Sequence, residues 1–519
     1  MQAAVDGMVV SVSIPVRNVG AVTGKTSVQL YVSAPTGKMD KPYQELAAFG
    51  KTKALTAGEE ERLCLSFDLS DMASFDTVGC CYVLEAGDYI LRVGEDSRTT
   101  SVAGVIRLDQ DVVTKRVKNI TRAPKYKDYI PAEAAKSTDI PKDVDIITVS
   151  ASEFKTEVTN YDHDYEVDET VKSLSDDLLI KMNIGSFDPK GGMAGIIGNS
   201  GTSVAGAAGQ TCLEAEEKGI RSLVMADGPA GLRLHRDYVR TKGGSIKGLG
   251  NSIPESMMDL FPKIVKLLMR PYKPKRGDVI YHQYATALPI ATAIAQSFNI
   301  AFATECGSIV GSEMDRFGVD LWLAPALNIQ RDIRCGRNFE YFSEDPVVSG
   351  EFSAAITNGV QSHRGRGTTI KHFACNNQEF NRTQNNSVVS ERTLREIYLK
   401  GFAIAVKKSA PKAIMTSYNL INGVHASEMR ELIEDYMRRE NGYEGIVMTD
   451  WVVSGYASVK GCKYPVACAS KVVMAGGDLF MPGSKNDYDD IKKGLEEGIV
   501  IRRQLEVNAT RVKTLFIEK

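Results

Sequence analysis

The sequence has no surplus of charge of either sign: 63 Lys and Arg face 65 Asp and Glu, a formal net charge of −2. That balance gives no electrostatic reason to expect nucleic acid or an acidic membrane surface as partner. No apolar run approaches the roughly 18 residues that a membrane-crossing helix needs. The opening "MQAAVDGMVVSVSIPVRN" lacks a basic segment followed by a long apolar one, so no secretory leader is expected and the address read from it is cytoplasmic. Nine cysteines is an odd number; only Cys80 and Cys81 adjoin and no CxxC pair is present, which reads as reduced thiols rather than a disulfide framework. There is no cluster with metal-ligand spacing, so no metal is expected. No GxGxxG follows a strand, which argues against a dinucleotide fold and leaves no organic cofactor implied. Nothing in the sequence decides against a homo-oligomer.

What is present falls into blocks. Residues 1–107 alternate apolar and polar positions in short runs, "VVSVSIPVRNVG", "SVQLYVSAP", "RLCLSFDL" and "YVLEAGDYILRVG", separated by Gly- and Pro-containing turns. This pattern predicts a β-sandwich of immunoglobulin or fibronectin type III kind. Residues 108–170 are rich in Lys, Asp and Pro with little periodicity, and read as a linker laid over a surface. From 171 to 519 the rhythm changes, opening with "SLSDDLLIKM", where Ser173 or Ser175 is placed to cap a helix. Short apolar strands follow, each trailed by a helix-length amphipathic stretch: "SLVMADG", "LWLAPALN", "TTIKHFAC", "KAIMTSYN", "GIVMTDW" and "GGDLFMPG". Alternating β and α implies a parallel sheet. The length favours a (β/α)8-type, TIM-like barrel over a doubly wound sheet.

The first five of these strands carry polar residues at or near their C-terminal ends: Asp227, Asn328, Lys371 with His372, Tyr418 and Asp450. Barrel enzymes gather their chemistry on that face. Asp450 is the candidate nucleophile, since a carboxylate among cations from neighbouring strands stays ionised, as attack on an anomeric carbon requires. The plain alternative is a cap on the next helix. "ADGPAGLR" puts Asp227 and Arg233 on one tight loop, an acceptor and a forked donor that suit vicinal sugar hydroxyls or form a structural ion pair. Arg337 in "CGRNFEYFSEDP" binds hydroxyls or holds its own loop. "KHFACNNQEFNR" supplies Lys371, His372 and Arg382; a buried Lys371 without an anion would be costly. Tyr418 is placed to hydrogen-bond the nucleophile's carboxylate, or is an ordinary rim tyrosine. Trp451 offers an aromatic face for sugar C–H groups or a core side chain.

Read in order, "ADGPAGLR", "GRNFEYFSEDP", "KHFACNNQEFNRTQNNSVVSERTLREIYLKGF", "KAIMTSYNLINGV" and "GIVMTDW" resemble the catalytic domain of glycoside hydrolase family 3, in its β-glucosidase branch. "SVQLYVSAP", "KPYQELAAFGKT" and "LEAGDYILRVG" resemble that family's fibronectin-like domain. The resemblance implies a retaining exo-glycosidase acting on β-D-glucosides or oligosaccharides, with Asp450 forming the covalent glycosyl-enzyme. It implies that Asp227, Arg233, Arg337, Lys371, His372, Arg382 and Tyr418 line the terminal-sugar subsite. β-Xylosidase or mixed specificity is the alternative, resting on contacts to C6, and a sugar-binding fragment with little turnover is another. The domain order departs from the usual one: the fibronectin-like part comes first, as in a subset of the family with inverted order. There an α/β sandwich domain bearing the acid/base glutamate should precede it, so a truncated chain is expected. Glu340, Glu344 and Glu379 are acidic candidates within the barrel, without an assigned role. The Gly-His loop that other family members use after "KHF" is absent. "MDLFPKIVKLLMRPYKPKRGDVIYHQ", with Lys263, Lys266, Arg270, Lys273, Lys275 and Arg276, matches no family block and reads as a solvated insertion.

Overall fold

The computed structural model describes residues 1–122, 140–187, 203–249, 272–454 and 463–517, together with Pro124, Tyr126 and Tyr129. The N-terminal part is the expected two-layer β structure. In Val9–Arg17 the side chains of Val10, Val12 and Ile14 are buried, while Ser11 on the other face shares a hydrogen bond with Ser66 at 2.8 Å. This strand pairs antiparallel with Glu60–Asp68, and Gln2–Asp6 adds to its other side. The buried face meets Leu30, Val32, Leu91, Val93 and Ile106 of a five-stranded sheet, forming one core. Each such side chain removed from water stabilises the fold by about 1.5–3 kcal/mol.

Described parts of the stretch expected as a linker, 108–170, are built into this domain as strands. Val112–Arg116 pairs antiparallel with Cys81–Leu84, Ile146–Val149 runs parallel to Thr100–Leu108, and Glu157–Val158 adds beside Val112–Arg116. Ile146–Val149 and Glu157–Val158 are edge strands and all three are short, so their apolar alternation is too brief to read against the charged residues around them. The basic stretch is only partly described: Lys263, Lys266 and Arg270 lie outside the described residues. Lys273, Lys275 and Arg276 are exposed, leading into Val279–His282 of a three-stranded antiparallel sheet.

The C-terminal part is α/β. Its six-stranded sheet runs in the order Gly209–Gln210, Val224–Ala226, Leu321–Trp322, Gly367–Phe373, Ala413–Thr416, Ile446–Met448. Every neighbouring pair is parallel except the first. Val224–Ala226, Gly367–Phe373, Ala413–Thr416 and Ile446–Met448 are buried along their whole length, as parallel strands covered on both faces must be. Five of the expected strands are therefore present in sequence order. The sixth, in 476–483, joins as bridges: Leu479 bonds to Met448, and Phe480 to Ile184. On the far edge, the Ser186 amide donates to the Gln210 carbonyl at 2.9 Å. The antiparallel pair at Gly209–Gln210 had no sequence signal, being two residues long.

Helices cover the outside. Ser175 caps Asp176–Met182, its hydroxyl accepting from the Leu178 amide at 3.3 Å. Ile300–Phe317 and Pro346–Gln361 approach so closely that a Cβ on Gly307 would stand 2.1 Å from the Ile356 carbonyl and one on Gly359 2.0 Å from that of Thr304. Only glycine lets the two backbones meet. The sandwich docks on these helices through Phe49, stacked on Phe352 at 5.8 Å and edge-on to Phe298 at 5.3 Å. It also docks through a buried ion network around Arg395, which contacts Lys118 and Tyr82 of the N-terminal part. Among the described residues no helix is long and apolar enough to cross a membrane.

Candidate active site

Because the strands run parallel, their carboxyl ends share one edge, and the loops beyond them bring the predicted residues together. Asp450 follows Ile446–Met448 and is buried, 8% exposed. Its Oδ1 accepts from the Trp451 amide at 2.7 Å. Its Oδ2 has no hydrogen-bond partner; the nearest cation-capable group is His372 Nε2 at 3.6 Å. The negative charge of Asp450 helps raise the pKa of both Arg337 and Arg382 against the lowering effect of their burial. The capping alternative does not hold among the described residues, where the next helix begins at Ala469 behind Cys468.

Tyr418 departs from expectation. Its hydroxyl donates to the Trp451 carbonyl at 2.7 Å instead of to the Asp450 carboxylate. Through that carbonyl Tyr418 steadies the turn that carries Asp450. Arg382 lies over the Tyr418 ring at 4.5 Å, donating to Glu379 at 3.0 Å. Trp451 is half-buried, its indole N–H bound to the Ala208 carbonyl at 3.1 Å.

Asp227 accepts from Lys371 Nζ at 2.9 Å and from Arg233 Nη2 at 2.8 Å. Lys371 is only 4% exposed and Arg233 63%, so the lysine pair is the one shielded from solvent screening. The loop is tight: Gly228 has φ +128°, and a Cβ there would stand 1.9 Å from the Gly231 carbonyl. Trp322 pins it by donating to the Gly228 carbonyl at 2.8 Å. Burial alone would raise the Asp227 pKa; Lys371 and Arg233 outweigh it and bring it down to about 2. The sign follows from linkage: with the folded value below the unfolded one, this pairing stabilises the protein above the ordinary carboxylate range and is lost as pH falls through about 2. Asp227→Asn is expected to cost about 1–3 kcal/mol of stability at neutral pH by leaving Lys371 underpaired. Urea unfolding checks this, and the difference from the parent should shrink as the pH is lowered toward 2.

His372, 1% exposed, is held at both backbone atoms by Asn328, whose amide donates to the His372 carbonyl at 2.8 Å while its oxygen accepts the His372 amide at 2.8 Å. Burial first, then the charges of Arg337, Lys371 and Arg382, press the imidazole well below its usual pKa, so it is neutral. Arg337 donates to His372 Nε2 at 2.8 Å and binds Glu340 through its Nε. Glu344 is exposed. Two residues behind this site carried no separate sequence signal, Tyr341 and Asn376; both lie inside blocks already singled out, four positions after Arg337 and His372 respectively. Among the described residues no three His, Cys, Asp or Glu side chains are grouped to hold a metal ion.

A buried carboxylate with one free oxygen thus stands beside arginines, an ionised aspartate and a lysine at the carboxyl edge of a parallel sheet. Residues 267–515 match the glycosyl hydrolase family 3 N-terminal domain, and residues 26–97 the fibronectin type III-like domain. Residues 267–515 are thus similar to a glycosyl hydrolase family 3 domain. Over 548 residues the chain is 32% identical to a beta-glucosidase of Ruminococcus albus, covering 99% of this chain and 50% of that protein. It is 31% identical over 501 residues to beta-glucosidase A of Butyrivibrio fibrisolvens, covering 87% and 53%. A solved beta-glucosidase structure from Paenibacillus barengoltzii superposes with a TM-score of 0.74 at 30% identity, covering 99% of this chain and 54% of that one. The chain spans about half the length of these relatives.

Proposed function

We propose that this chain is the catalytic part of a retaining, exo-acting glycosidase that releases terminal β-D-glucosyl residues, built on a (β/α)8-type barrel. Hydrogen bonds from the Leu479 amide to the Val447 carbonyl, from the Phe480 amide to the Asn183 carbonyl, from the Gly185 amide to the Phe480 carbonyl and from the Ser186 amide to the Gln210 carbonyl support the barrel, since they run from one edge of the sheet to the other. The observation that carries the chemistry is Asp450, with Oδ1 fixed by an amide and Oδ2 unpaired. Oδ2 attacks the anomeric carbon as the bond to the leaving oxygen breaks, through an oxocarbenium-like transition state. Water then attacks the same carbon and expels Asp450, so configuration is retained. Asp227, Arg233, Lys371, His372, Arg337, Arg382 and Tyr418 line the terminal-sugar subsite, with Trp451 offering a ring face. No acid/base is assigned: Glu340 and Glu379 are each engaged by an arginine.

The pairing of Glu340 and Glu379 with arginines, which leaves no acid assigned, favours a second reading, a sugar-binding barrel with little turnover. Incubation with dinitrophenyl 2-deoxy-2-fluoro-β-glucoside separates the two, because that leaving group departs without an acid. Intact mass spectrometry is expected to find a single fluoroglucosyl adduct. Its absence would remove the nucleophilic reading and leave the binding one.

A further inference from the structure

We propose that Tyr341 is a positioning residue: with Asn376 it holds His372 in the tautomer that accepts from Arg337, and so aims Arg337 beside Asp450. The consequence for turnover rests on the glycosidase reading; the tautomer does not. The guanidinium is a donor only, so the 2.8 Å contact from Arg337 Nη2 requires a lone pair on His372 Nε2. A neutral imidazole then carries its proton on Nδ1. That nitrogen faces the Tyr341 hydroxyl at 3.4 Å, the long limb of the arrangement. The tyrosine is fully buried and meets the imidazole edge-on, ring centres 6.2 Å apart.

The hydroxyl oxygen also receives the Asn376 amide at 2.8 Å. Asn376 reaches Glu379 at 3.0 Å, and Glu379 accepts from Arg382 at 3.0 Å. One chain of hydrogen bonds therefore runs Arg337–His372–Tyr341–Asn376–Glu379–Arg382 and ties together the two arginines whose pKa Asp450 helps to raise. With Tyr341 accepting from both sides, the proton on Nδ1 is satisfied. The other tautomer would set an Nε2–H against the Arg337 donors and turn it toward Asp450 Oδ2, 3.6 Å away. It would loosen Arg337 and aim an N–H at the attacking oxygen.

The test uses the full chain labelled with 15N-histidine, which is tractable because the chain has six histidines; His372→Gln identifies the signal. The expected parent spectrum has the unprotonated nitrogen of His372 at Nε2. In Tyr341→Phe and Asn376→Leu it moves wholly or partly to Nδ1. On an activated aryl β-glucoside, kcat falls roughly 10- to 100-fold, the size of effect a residue acting behind the reacting groups can have, with a smaller change in KM. A parent spectrum with Nε2 protonated would overturn the proposal. So would an unmoved tautomer with kcat unchanged in whichever variant keeps the parent's unfolding midpoint. If the tautomer shifts but the parent itself turns over no glucoside, the proposal stands and the glycosidase reading falls.

Discussion

Asp450→Asn is expected to abolish the fluoroglucosyl adduct and to cut turnover of activated glucosides by at least about 10³-fold, as loss of a nucleophile does. The chain should remain folded. Asparagine keeps the size of the side chain, and its amide oxygen still accepts the Trp451 amide now bonded to Oδ1. The charge that is lost faces Arg337 and Arg382, but each keeps another carboxylate, Glu340 and Glu379. The deficit therefore falls on chemistry. What disappears is the unpaired Oδ2, the oxygen free to form the glycosyl bond. Mass spectrometry and steady-state kinetics on the variant check this, with circular dichroism to verify folding. An adduct of equal yield on Asp450→Asn would move the nucleophile elsewhere.

The largest effect on stability is expected at Arg395, far from the chemistry. Its side chain is fully buried between the two parts of the molecule. Its Nε donates to Glu391 at 2.6 Å, Nη1 to Glu440 at 2.6 Å, and Nη2 to Glu440 at 3.0 Å and to the Lys118 carbonyl at 2.6 Å. The guanidinium also lies over the Phe75 ring at 4.5 Å. Arg395→Ala leaves two buried carboxylates without their cation, a change that costs about 3–5 kcal/mol when one partner of a buried pair is removed. Glu391 retains the Ile120 and Thr121 amides, and Glu440 retains Tyr161, which places the expected loss at the lower end of that range. Denaturant unfolding should weaken accordingly and separate into two transitions as the sandwich uncouples. Adding Glu440→Gln should recover part of the loss, because it removes one of the orphaned charges. Unfolding unchanged within about 1 kcal/mol would mean that water replaces the arginine and that Phe49 carries the docking.

Much of the architecture was legible because periodicity reports burial. Alternation in "VVSVSIPVR" marks a strand with one wet face, and charge-free runs such as Ile446–Met448 mark strands covered on both. Polar residues arriving where those runs stop marked the site edge, and Asp227, Lys371, His372 and Asp450 do converge there. Short elements were not legible. Ile146–Val149 and Gly209–Gln210 are too brief for any period to emerge, and they exist because a neighbouring strand offers unpaired backbone groups.

The sequence by itself determined which residues are apolar at which interval, hence the order of strands and helices and which side chains reach the carboxyl edge. Only the tertiary structure decided partners. Tyr418 turned to a carbonyl and not a carboxylate, Asp227 took Lys371 from a strand 144 residues away, and Asp450 kept one oxygen unbound. Spacing along a chain specifies direction and face, but a hydrogen bond is settled by distances of about 3 Å between segments that the sequence leaves far apart.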